Sequence, residues 1–106
     1  MSERLDRLGM FRLIADKIER DPSLLQIGLE NIERWIANGI DQQHKLLEWR
    51  ERILAAKNSE EEMQVLLGML RSDDEPAEYE REFSPFAGVL NPEEVAEFFD
   101  QCAYVH

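Results

Sequence analysis

Cysteine is all but missing from this chain: Cys102 stands alone. A single thiol closes no internal disulfide, so a core must hold the fold, and a reducing cytoplasm is the expected compartment. Histidine is nearly as scarce. His44 has no His or Cys partner at helical spacing, and His106 has only Cys102 four residues before it, whereas zinc sites need several such ligands close together. Glycine occurs as isolated residues, Gly9, Gly28, Gly39, Gly68 and Gly88, so no glycine-rich phosphate loop exists. No apolar run approaches the ~18 residues that read as a membrane span. Met1–Asp6 mixes charges and lacks the apolar stretch of a signal peptide. Strand-like alternation is absent as well. No nucleophile stands beside a base with an orienting group, and Cys102 reads as a small packed hydrophobe. The expectation is no enzyme, no cofactor and no metal.

Positive charge is what the second half lacks. Residues 1–57 carry 10 Lys+Arg and 10 Asp+Glu, whereas residues 58–106 carry 2 and 13, so the whole net charge of −11 lies in the second half. Such a surface repels phosphate, which argues against nucleic-acid binding. A loose helix-turn-helix reading survives only in the neutral half, where Gln42, Gln43, His44 and Lys45 would open a recognition helix against the opposing charge of Asp41, Glu48 and Glu51. The acid runs Glu60–Glu62 and Asp73–Glu75 lack the spacing and glycine of a calcium loop and read as solvated faces.

What is present is helical periodicity in a chain of 106 residues, enough for one modest domain. A first helix is expected over about 3–20, with Leu5, Leu8, Ala15 and Ile18 on its stripe. Asp21-Pro22 stops it and starts a second, with Asp21 as cap and Pro22 in the first turn, running to Asn38-Gly39. A third is expected from near Asp41 to Asn58. Ser59 with Glu62 forms a capping box that opens a fourth, ending near Ser72. Pro76 marks a further start in a short acidic stretch, with a helix expected over 77–83. Asn91-Pro92-Glu93-Glu94 opens the last helix. The expected fold is all-α: a bundle of four main helices over residues 1–73, then an acidic segment, 74–106, with an irregular stretch and a terminal helix packed on the same domain. Its core should hold Leu8, Ile14, Ile18, Leu25, Leu29, Ile32, Trp35, Leu46, Trp49, Ile53, Leu66 and Leu70, with Trp35 and Trp49 in one shared cluster.

Between the acidic stretches lies an uncharged string, Phe83-Ser84-Pro85-Phe86-Ala87-Gly88-Val89-Leu90. Two readings fit it. It is either a loop tucked under the helices, with Leu90 stapled to Val95, or an extended anchor for a partner, with Phe86 in a pocket. The second reading makes Phe83, Pro85, Phe86, Val89 and Leu90, with Asp73, Asp74 and Glu75, the candidate partner-binding residues.

Ile32-Glu33-Arg34-Trp35, Leu47-Glu48-Trp49-Arg50 and Ser84–Leu90 followed by Pro92-Glu93-Glu94 resemble a group of small bacterial helical proteins. Genes of that group often stand beside presumed toxins. The resemblance implies a bacterial, cytoplasmic, antitoxin-like protein and transfers no catalytic residue. The expected function is inhibition of a basic partner, such as a nuclease or nucleotidyltransferase toxin. The alternatives are a structural homo-oligomer and the helix-turn-helix regulator.

Overall fold

The computed structural model describes residues 3–104, with side chains over 7–100. Leu5, Cys102 and His106, which the sequence reading invoked, lie outside that side-chain range. The described residues form α1 (Glu3–Arg20), a 3-10 turn (Pro22–Leu24), α2 (Leu25–Ala37), α3 (Gln43–Asn58), α4 (Glu60–Arg71), α5 (Glu75–Arg81) and α6 (Pro92–Tyr104), with no strand among them. The fold is all-helical.

Local chemistry places most of these boundaries. Asp21 accepts from the Ser23 amide at 3.2 Å with Pro22 behind it, and Ser59 Oγ accepts from the Glu62 amide at 3.3 Å. Asp74 accepts from the Ala77 amide at 2.8 Å. Asn91 and Glu94 cap each other reciprocally, at 2.8 and 2.9 Å. Each bond satisfies an amide that a helix start otherwise leaves orphaned. At the end of α2, Gly39 takes φ +77°, and the Ile40 amide reaches back to the Trp35 carbonyl at 3.2 Å.

Two boundaries differ from expectation. Helix α3 opens at Gln43 rather than Asp41, because Gln42 is left-handed at φ 66°. The short acidic helix expected over 77–83 is α5, which opens earlier, at Glu75, and ends at Arg81; Asp74 and Pro76 together supply its start.

Helix α4 lies at the centre of the packing. It contacts α1, α3 and α5, while α3 also packs on α2 and α6 rests on α1. The space between α1 and α2 is closed by the loop over residues 82–91, which serves as a strap. Phe86 and Val89, each 2% exposed, belong to the same core cluster as Ile18, Ile32, Trp49, Ile53 and Leu70. Phe86 stands edge-on to Trp49, with ring centroids 5.7 Å apart. It also presses on α2 where Gly28 has no side chain; a Cβ there would lie 2.9 Å from the ring.

Polar ties hold the strap at both sides. From α2, Asn31 Nδ2 donates to the carbonyls of Pro85 at 2.8 Å and Ala87 at 2.7 Å, and its own oxygen accepts from Arg34. From α1, Lys17 donates to the Val89 carbonyl at 2.8 Å and to Glu94 at 2.5 Å. Asn31 is buried, so these bonds satisfy an amide that burial alone would penalise.

The core departs from expectation at its edge. Leu29 and Trp35 are only partly buried there. Trp35 packs against the cluster that holds Trp49, as expected, but the ring that meets Trp49 edge-on is Phe86 of the strap. Met63, Leu67 and Ala15, which lie on the expected stripes but outside the expected core set, belong to the core as well.

Two outcomes follow for stability. Phe86→Ala should destabilise the chain by about 3–5 kcal/mol, the range for deleting a large buried ring. Trp35→Ala should cost clearly less. Urea unfolding of both variants checks this, and the reverse order contradicts the strap's place in the core. The second outcome concerns acid. The Asn91 amide, then Lys17, holds the Glu94 carboxyl below its usual value; the Ser72 hydroxyl, then the Ala77 amide, does the same for Asp74. A carboxyl depressed by folding stabilises above its unfolded pKa, and that stabilisation is lost as pH falls through the folded value. Melting temperature should therefore drop as pH falls from about 4 downward. Asp74→Asn/Glu94→Gln should show a shallower drop, and parallel curves would count against the assignment.

Candidate functional site

The residues proposed for partner binding separate into two groups. The apolar ones are inside: Phe86, Val89 and Pro85 are buried, and Phe83 and Leu90 are partly buried against the core. The expectation that Phe86 fills a partner's pocket is corrected, because Phe86 fills this chain's own. The acids Asp73, Asp74 and Glu75 are exposed on the turn between α4 and α5. Asp74 is committed to capping α5 and also accepts from Ser72 Oγ at 2.7 Å.

Asp74, alone of the three, lines a groove of about 530 Å³ between α4 and α5. Its apolar lining includes Val65, Met69, Pro76 and Tyr79. Val65 is 58% exposed and Tyr79 51%, the two most exposed large hydrophobic residues among those described. Val65 points away from the buried face of α4, which Met63, Leu66, Leu67 and Leu70 occupy. Gly68 follows Val65 by three residues and lies on the same side of the helix. A helical glycine costs up to about 1 kcal/mol relative to alanine, so its presence on an exposed face lowers the stability of α4.

The walls of this groove are tied in place. Arg81 is 5% exposed and donates to the carbonyls of Met69, at 2.9 Å, and Ser72. It thereby satisfies carbonyls that the end of α4 leaves free and fixes α5 against them. On the other side, Trp49 Nε1 donates to the Glu80 carbonyl at 2.9 Å. The Glu80 carboxylate sits between Lys45 at 3.3 Å and Arg52 at 3.1 Å. Lys45 also stands 4.7 Å above the Tyr79 ring, whose edge meets Phe83 with centroids 5.5 Å apart. Tyr79 is thus oriented by its neighbours while half of it faces solvent.

Sequence reasoning passed over Val65, Gly68 and Tyr79. Two signals were available: an apolar residue off the stripe of α4, and a glycine one turn beyond it. A smaller hollow of about 250 Å³ lies between the strap, α1 and α6, lined by Met10, Phe11, Ser84, Leu90 and Val95. The Ser84 hydroxyl is buried without a hydrogen-bond partner.

Among the described residues, no three of His, Cys, Asp and Glu come together as a metal site, and no helix is long and apolar enough to cross a membrane. Comparison with protein-family models, with curated proteins and with solved structures gives no match.

Proposed function

We propose that this chain is a protein–protein interaction module, an antitoxin-like inhibitor of a basic partner. One observation carries the reading: the acidic half turns its apolar string inward and leaves its acids outward, beside a groove with exposed Val65 and Tyr79. Acids that formed only a solvated face would need no exposed hydrophobic residues among them. In this reading the net charge speeds encounter with a basic surface, and the exposed apolar residues slow release. Blocking a toxin's active site requires only that the acidic face cover it. No residue of this chain has to act chemically.

A structural homo-oligomer is the second reading. It is favoured by Leu13, 36% exposed on α1, and Phe99, 49% exposed on α6. Such an interface would use the α1–α6 side, where the α6 acids Glu93, Glu94, Glu97 and Asp100 would oppose it. The helix-turn-helix reading draws less support: Asp41 and Glu48 are exposed beside Gln43 and His44 at the start of α3.

The test begins by capturing the partner from a bacterial lysate, then measures association kinetics at low and high salt. The captured protein should be basic, and its activity should fall when it is bound. Glu75→Gln/Glu82→Gln, which spares Asp73 and the cap Asp74, should slow association and flatten its salt dependence while leaving the melting temperature nearly unchanged. A partner without basic character, or a complex indifferent to both salt and these changes, would overturn the reading. Sedimentation as a stable dimer, with no partner captured, would favour the homo-oligomer.

A further inference from the structure

Four of the five glycines answer a demand of the fold. A Cβ at Gly9 would lie 2.8 Å from the Phe98 ring, and one at Gly28 would lie 2.9 Å from Phe86. Gly39 and Gly88 take φ +77° and +94°, which side chains disfavour. Gly68 is different. Its backbone is helical, and a Cβ there would meet nothing within 4 Å. Alanine would fit and would strengthen the helix. Nothing in the monomer accounts for the missing side chain.

Gly68 does line the groove that holds the exposed Val65 and Tyr79. A glycine at that place lets a ligand approach the backbone of α4 directly. We infer that the Gly68 groove is the seat for a helix of the basic partner, one with an apolar face against Val65, Met69 and Tyr79 and with Lys or Arg along its flanks. This rests on the interaction reading above and names the place and shape of the contact.

Three considerations choose this occupant. The described residues contain no strand, so no sheet edge is on offer for strand addition, and the remaining modes are a helix in a groove or a proline-rich peptide. Proline-rich peptides dock on several aligned aromatics, whereas Tyr79 is the one aromatic in the groove lining. Asp74 in the lining, Glu75 at the start of α5 and Glu82 just after it complement cations and repel a second copy of this chain. Arg52, the cation in the lining, is neutralised by Glu80 at 3.1 Å. The walls are already fixed by Arg81 and Trp49, so little ordering has to accompany binding.

The experiment uses the full chain and a synthetic amphipathic peptide with leucines on one helical face and lysines on the other, alongside a version with glutamate in place of lysine. Binding is followed by NMR through backbone amide and methyl shifts. Shifts should concentrate at Val65, Gly68 and Tyr79 and saturate with the lysine peptide only. Affinity should fall in steps, modestly for Gly68→Ala and about tenfold or more for Gly68→Gln. Melting temperature should rise in the same two variants, by up to about 4–8 °C, because the helix gains propensity. That opposition between stability and binding separates a seat from a structural glycine. Phe99→Ser should bind as the unaltered chain does.

Shifts centred on Leu13 and Phe99, shifts spread over the acidic surface, equal binding of the glutamate peptide, or normal binding by Gly68→Gln would each overturn the seat. A captured basic partner indifferent to Gly68→Gln would overturn the seat alone and leave the interaction reading on another face. Failure to capture any basic partner would count against the interaction reading itself.

Discussion

The fold depends on the insertion of Phe86 between α2 and α3. Helices α1 and α2 flank a space that neither fills, and the chain returns to it only after α5. Phe86 closes that space beside Pro85, which lies 54 residues beyond the α2 residue that clamps the loop: Asn31 bonds Pro85 at 2.8 Å. The clamp and the ring need each other. Without the ring, Asn31 would be a buried amide beside a cavity. Without Asn31, the strap carbonyls would be buried with fewer partners, at about 1–3 kcal/mol for each orphaned group. The single-atom side chain of Gly28 sets how deep the ring can go.

This insertion explains the split between an apolar inside and an acidic outside in the second half. A string that reads as an anchor in sequence becomes a core element once its pocket is supplied by α2 and α3. The acids that flank it in sequence are then left on the surface by default. Part of their charge is balanced across the two halves of the chain. Lys17 pairs with Glu94, and Lys45 and Arg52 pair with Glu80, while Arg71 reaches back to Asp16 and Glu19. Each exposed pair is worth only about 0–1 kcal/mol. Their placement matters more than their number: Lys17, Lys45 and Arg52 of the neutral half hold α6 and α5, while Arg71 ties the end of α4 back to α1.

How much was legible in the sequence follows from the range of the interactions concerned. Asp21, Ser59 and Asn91 were readable as caps because a cap is local chemistry, decided within about three residues. The stripes of α1, α2 and α4 were readable for the same reason. The two readings of Phe83–Leu90 were not separable, since the choice turns on Gly28 and Asn31, far away in the chain and unremarkable by themselves. The ring that meets Trp49, Phe86, was hidden similarly. Matching stripes on neighbouring helices show which faces turn inward, but not that another segment will take the position between them. Gln42 defeated the start of α3 because a left-handed glutamine has no sequence signal.

The groove illustrates a further limit. Core positions announce themselves by period, and Val65, Gly68 and Tyr79 are conspicuous only by departing from it. Such departures acquire meaning once the fold shows what the regular positions do. Met63, Leu66, Leu67 and Leu70 already give α4 its buried face, so Val65 adds nothing to the core at 58% exposure. Gly68 withdraws stability from the helix on which α1, α3 and α5 all pack. Arg81 and Trp49 meanwhile spend strong hydrogen bonds on fixing α5, a helix of seven residues that is too short to stand alone. A short helix held rigidly against a locally weakened one, with apolar residues between them facing water, is costly for a monomer and economical for a surface that must meet a partner in one geometry.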